Sequence, residues 1–135
     1  LSQNKDVVSI DGDGSVLMNM NTLATIGNRA PNNFTLLIID NESYGSTGDQ
    51  KTFTSEKTSL KEVAIGSGCR KVIECEGKET ANILSKAILD KNNSYIVIAK
   101  VKSGNKRVNP ILLNPITIRD RFRKYIGLVS YLNKY

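Results

Sequence analysis

Asp6-Val7-Val8-Ser9-Ile10-Asp11-Gly12-Asp13-Gly14-Ser15 is a short apolar run that ends in a turn of alternating aspartate and glycine. Asp6 to Ile10 reads as a short buried strand. Behind it, apolar side chains at 16, 17, 20, 23, 24 and 26 have helical spacing from Ser15 to about Gly27. Strand, glycine-rich turn and helix in that order open an α/β unit, and the rest of the chain repeats the theme. Phe34-Thr35-Leu36-Leu37-Ile38-Ile39 is nearly continuous apolar sequence, as in a strand covered on both faces. Ser59-Leu60-Lys61-Glu62 has the form of a capping box opening a helix to about Ser67. Lys71 to Cys75 is a third strand, Lys78 to Asp90 an amphipathic helix and Tyr95 to Val101 a fourth strand. Ser103 to Pro115 reads as a loop crossing the sheet edge, and Thr117 opens a last helix to about Asn133.

This alternation predicts one domain over residues 1–135 with a three-layer αβα arrangement: an open, mostly parallel sheet with helices on both faces. Ligands in such folds sit beyond the carboxyl ends of the strands. Two polar motifs, Asp11 to Ser15 and Asp40 to Gly48, fall at those ends. The polar segment from Asn41 to Thr58 is too long for a simple connection and marks a functional loop.

Composition narrows the chemistry. The 135 residues contain no His, which excludes Ser-His-Asp and Cys-His nucleophile pairs and His-rich zinc sites. No stretch approaches the ~20 apolar residues of a membrane span. Cys69 and Cys75 have neither redox nor metal-ligand spacing, and read as free thiols in a reducing cytoplasm. The net charge of +6 is uneven: residues 1–68 hold five basic and eight acidic groups, residues 69–135 fourteen and five. The basic groups are dispersed and no aromatic stacking platform accompanies them, so nucleic acid is not the expected partner. Arg119, Arg121, Arg123 and Lys124 read as a solvated helix face, with subunit contact as the alternative.

In Asp11-Gly12-Asp13-Gly14-Ser15 the glycines let the backbone approach a ligand closely, and an acid in such a turn suggests a metal bridging to phosphate. Twenty-eight residues after Asp13, at the end of the next strand, stands Asn41. Adjacent parallel strands put the two side by side. A carboxylate, an amide oxygen and a loop carbonyl are hard ligands suited to Mg²⁺.

Gly12-Asp13-Gly14 followed by Asp40-Asn41 resembles the diphosphate-binding motif of thiamine diphosphate enzymes, which usually ends Asn-Asn. Asp40 replaces the first Asn, whereas Asn41 keeps the one that is the metal ligand in the family. Three segments, Gly12 to Asn19, Leu23 to Gly27 and Asp40 to Gly48 with Gln50 to Thr52 after it, are similar to the β subunits of sulfopyruvate decarboxylases. Phosphonopyruvate decarboxylases are similar through Ser46-Thr47-Gly48. Asp49 and Phe53 depart from that pattern. The family's domain also has a strand and helix ahead of Asp6, which this sequence lacks.

The resemblance implies a thiamine diphosphate-binding fold and a 2-oxoacid decarboxylase, most closely one that converts sulfopyruvate to sulfoacetaldehyde and CO₂ in coenzyme M biosynthesis. Asp13, Asn41 and the Ser43 carbonyl would hold Mg²⁺, and Gly12, Gly14, Ser15, Tyr44 and Gly45 would join Asp13 and Asn41 in binding the cofactor. Ser46, Thr47 and Gln50 are candidates for the anionic 2-oxoacid substrate, or caps of a turn. The activating glutamate is expected on a pyrimidine-binding α subunit, so activity is expected only in a hetero-oligomer.

Three other readings compete. Asp11 and Asp13 also resemble the nucleophile and general acid of haloacid-dehalogenase-like phosphatases, but the later acidic pair is absent. An EF-hand fails because the twelfth position from Asp11 is Thr22. A non-catalytic cofactor-binding or regulatory subunit would keep Mg²⁺ and diphosphate without turnover.

Overall fold

The computed structural model describes residues 4–104 and 108–127. They fall into two compact units, which divide between Asn105 and Lys106. In the first, four strands form a parallel sheet: β1 (Val7–Gly12), β2 (Phe34–Asp40), β5 (Lys71–Glu76) and β6 (Tyr95–Lys100), in the order β1-β2-β6-β5. Two short strands, β3 (Ser43–Tyr44) and β4 (Gln50–Lys51), pair as a separate antiparallel hairpin.

Alternation along the central strands divides the core. Leu36 and Ile38 of β2 and Ile96 and Ile98 of β6 pack on one face against Leu23 and Ile26 of α2 (Asn21–Arg29) and Leu60 and Ala64 of α3 (Leu60–Gly66). Leu37, Val97 and Ala99 point the other way, against Ile83, Leu84 and Ala87 of α4 (Thr80–Leu89). Helices therefore cover both faces of the sheet. Burying each large aliphatic side chain contributes about 1.5–3 kcal/mol.

The boundaries differ from expectation in instructive places. β1 is not buried: Val7, Val8 and Ile10 are 37%, 37% and 68% exposed, because β1 is one of the two edge strands of this sheet. The helix expected from Ser15 to Gly27 is two helices, α1 (Asp13–Met18) and α2, parted at Asn19 and Met20. Asn19 leaves helical geometry at φ −144° and closes α1 through its amide on the Val16 carbonyl. Nor does Gly27 end α2, which runs to Arg29 and stops at Ala30 in the left-handed region. Gly27 is instead a packing point: a Cβ there would lie 2.3 Å from the Ser67 carbonyl oxygen.

Ser59 caps α3 as expected, its hydroxyl accepting from Glu62 N at 3.2 Å. A reciprocal capping box forms at Glu76 and Glu79, around a 3₁₀ turn that precedes α4. The polar segment after β2 contains the β3–β4 hairpin and a 3₁₀ turn, Phe53–Ser55. Both cysteines are buried free thiols; burial pushes the Cys69 thiol up.

In the second unit, α5 (Pro115–Tyr125) opens two residues before the expected Thr117. Asn114 caps it by accepting from Ile116 N at 2.8 Å, and Pro115 suits the first helical position because its missing N–H would be unpaired there. Arg119, Arg121 and Lys124 are exposed, and Arg119 pairs with Asp120. The expected continuation toward Asn133 lies outside the described residues beyond 127. Among the described residues no helix is long and apolar enough to cross a membrane.

Candidate functional site

β1 and β2 are parallel neighbours with Gly12 in register with Ile39, so residues following the two strands emerge side by side. This register brings the Asp13 turn to the Asp40-Asn41 turn. Asp13, the first residue of α1, is 1% exposed. A buried carboxylate needs hydrogen-bond donors, and two threonines provide them. Thr52 Oγ1 lies 2.5 Å and Thr54 Oγ1 3.2 Å from Asp13 Oδ2. Thr52, in extended geometry just ahead of the 3₁₀ turn, and Thr54 within it are buried, while Phe53 between them is 65% exposed.

Asp40, 2% exposed at the end of β2, is held from three sides. Its Oδ1 accepts from Thr54 Oγ1 at 2.8 Å and from Glu42 N at 3.2 Å. Its Oδ2 accepts from Lys100 Nζ at 2.9 Å, and the same ammonium is 2.9 Å from Glu42 Oε1. Asp40 and Lys100 end neighbouring strands in direct register. Burial pulls the Lys100 ammonium down, but its bonds to Asp40 and Glu42 outweigh that and push it above its ordinary value.

Asn41 Oδ1 accepts from Ser43 N at 3.2 Å, closing a turn in which Glu42 has φ 60°. Ser43 is buried, and its hydroxyl donates to Asp49. The Tyr44 ring lies against Gly14: a Cβ on Gly14 would stand 2.5 Å from Tyr44 Cε1. Gly12, by contrast, faces open space. Its amide donates to Asp11 Oδ1 at 2.9 Å, so Asp11 folds back on its own turn.

The sequence-predicted residues thus separate into groups. Gly12, Asp13, Gly14 and Ser15 lie on one strand-end turn, and Asn41, Ser43, Tyr44 and Gly45 on the neighbouring one. Ser46, Thr47 and Gln50 are exposed on the hairpin, where Thr47 Oγ1 is 3.2 Å from Gln50 Oε1. Beside Asn41 and Glu42 an open cavity of about 550 Å³ extends to Lys78, Lys100 and Lys102 at the carboxyl ends of β5 and β6. Thr54 and Lys100 carry no signal in the sequence motif; only strand register and the 3₁₀ turn bring them to the aspartates.

Two hydroxyl hydrogens, on Thr52 and Thr54, serve four close oxygen–oxygen approaches, including one of 2.9 Å between the threonines themselves. Asp40 has Lys100 as compensation. On the Asp13 side the cluster has an excess of lone pairs facing one another, an arrangement a cation offsets. Among the described residues no three His, Cys, Asp or Glu side chains could hold a metal together. A cation at Asp13 would complete its shell with amide, carbonyl and ligand oxygens, as Mg²⁺ does.

Residues 1–99 match the thiamine pyrophosphate enzyme family's C-terminal TPP binding domain. The chain is 42% identical over 120 residues to sulfopyruvate decarboxylase subunit beta of Methanocaldococcus jannaschii, covering 89% of this chain and 63% of that one. It is 43% identical over 126 residues to the subunit of the same name from Methanococcus maripaludis, covering 93% and 67%. The chain therefore spans about two thirds of the length of these relatives. Transketolase from Leishmania mexicana superposes with a TM-score of 0.53 at 17% identity, over 69% of this chain and 14% of that one, a likeness of fold.

Proposed function

The chain belongs to the thiamine pyrophosphate enzymes through their C-terminal TPP binding domain, and from that membership we propose that it is the diphosphate-holding subunit of a sulfopyruvate decarboxylase. One observation carries this reading: the buried Asp13 carboxylate, held by threonine hydroxyls at Oδ2 alone, follows β1 where its turn emerges beside the Asp40-Asn41 turn that follows β2. Asp13 Oδ1, which takes neither threonine hydroxyl, is the oxygen offered to Mg²⁺. Asn41 Oδ1 retains a second lone pair while it accepts from Ser43 N, and the Ser43 carbonyl is the third protein ligand. Amides of Gly14 and Ser15, in the first turn of α1, receive the diphosphate, and Gly12, with open space where a side chain would stand, lets it approach the turn.

Thiamine diphosphate bound there would supply the carbon nucleophile and electron sink that decarboxylation of a 2-oxoacid requires. This chain's residues fix its metal and phosphates and shield them from water. Thr52 and Thr54 hold Asp13 in place, and the Tyr44 ring closes over the turn. With Lys100 paired to Asp40 and Glu42, Lys78 and Lys102 are the cations in the cavity beside Asn41 that would meet a second negative charge on the substrate, against Glu76 in the same lining. A partner subunit with the pyrimidine-binding domain and its glutamate completes the site. The assembly is a hetero-oligomer of the reducing cytoplasm, in keeping with two free thiols.

The test is to mix this chain with a candidate α subunit, Mg²⁺, thiamine diphosphate and sulfopyruvate, and to follow CO₂ release. Turnover requiring both chains supports the reading. Full turnover by this chain alone would contradict it, and turnover of phosphonopyruvate but not sulfopyruvate would move the substrate. A complex that binds the cofactor but turns over neither would favour a regulatory subunit.

A further inference from the structure

Asp13 and Asp40 both contact the Thr54 hydroxyl, at 3.2 and 2.8 Å, so the two carboxylate oxygens lie within about 6 Å of each other. Two carboxylates that close would ordinarily bind a divalent cation between them without help from a ligand. Here one is committed elsewhere. Asp40 accepts from Thr54, from Glu42 N and from Lys100, whose charge it shares with Glu42, so both of its oxygens are engaged. The arrangement is built into the sheet, because Asp40 and Lys100 are register partners at the ends of β2 and β6.

We propose that Lys100 is a positioning residue that makes metal binding contingent on the cofactor. By engaging Asp40 together with Glu42 it leaves Asp13 as the buried carboxylate of the cluster that no ammonium among the described residues meets. A divalent cation alone then binds weakly, and needs diphosphate oxygens to be held. Asp40 in turn fixes Thr54, and through it the orientation of Asp13. The substitution of Asp for the usual Asn at position 40 and the lysine at position 100 form one device: an added negative charge and its compensation. This proposal rests on the metal role assigned to Asp13 and deepens it.

The probe is Mn²⁺ without thiamine diphosphate, titrated into the 135-residue chain and followed by electron paramagnetic resonance of the free ion. Lys100→Met should tighten Mn²⁺ binding about tenfold, since it frees Asp40 close to Asp13. Lys100→Arg and the distant control Lys86→Met should match the wild type. Lys100→Met combined with Asp40→Asn should return to the wild-type value. Unchanged affinity in Lys100→Met would overturn the proposal, as would a gain that persists in the double variant. Where Lys100→Met does not fold, the double variant decides: wild-type affinity supports the proposal, and a severalfold loss shows that Asp40 is itself a ligand. Mn²⁺ together with thiamine diphosphate, titrated into the wild-type chain with its partner subunit present, keeps the two claims apart. No binding there would sink the functional reading, whereas normal binding with an unresponsive Lys100→Met would sink only the role of Lys100.

Discussion

The aromatic ring of Tyr44 occupies the space that a side chain on Gly14 would need, 2.5 Å from the position of its Cβ. The glycine of one strand-end turn and the tyrosine of the next are thereby locked together. Gly14→Ala should push the ring away and weaken thiamine diphosphate binding about tenfold, with a stability loss of about 1–3 kcal/mol. Adding Tyr44→Ala should recover most of the stability but not the binding. Calorimetric titration and urea denaturation of the single and double variants measure the two effects.

Gly27 approaches the backbone of the loop after α3, with its would-be Cβ 2.3 Å from Ser67 O and 2.9 Å from the Gly68 carbonyl carbon. Backbone cannot swing aside as a side chain can. Gly27→Ala should therefore destabilise the fold by about 1–3 kcal/mol or more. Urea denaturation checks this, and cofactor affinity of the folded fraction should stay at the wild-type value.

Thr54 stands between two buried carboxylates. Thr54→Val keeps the shape and removes the hydroxyl, leaving Asp40 short of a donor at a cost of about 1–3 kcal/mol. Cofactor affinity should fall with it, because Asp13 loses part of its orientation. Thr54→Ser should restore both quantities in the same denaturation and binding measurements.

Asp90 gives the acid response. Its carboxylate accepts from Tyr95 Oη, Asn92 N and Asn93 Nδ2. These bonds, that from Tyr95 foremost, lower its pKa from 3.8 to about 2. The unfolded chain therefore binds more protons in that window, so the stability contributed by Asp90 is whole above about pH 4 and is lost as pH falls toward 2. Asp90→Asn should flatten the fall in stability between pH 4 and 2, and should leave stability more nearly constant there in urea titrations at each pH.

The fold was legible because its signals are local. The apolar run Phe34 to Ile39 reads as a covered strand, and the Asp13 turn and the Asp40-Asn41 turn emerge side by side because consecutive parallel strands end together. Lys100 was not legible, since its partner Asp40 lies sixty residues away and β6 inserts between β2 and β5, out of chain order. Gly27 misled for a physical reason: glycine marks a helix end and also a close approach, and only packing against Ser67 tells them apart. The exposure of β1 was hidden likewise, because Val7, Val8 and Ile10 have the same sequence signature in a central strand as at an edge.

The central claim is that Asp13 holds the cofactor's metal. Titration calorimetry of Mg²⁺-thiamine diphosphate into the wild-type chain and into Asp13→Asn, both with the partner subunit present, tests it most directly. The substitution keeps the size and one acceptor oxygen while removing the charge, so affinity should fall by about a hundredfold, on the order of 3 kcal/mol. Undiminished affinity in a folded Asp13→Asn protein would contradict the account.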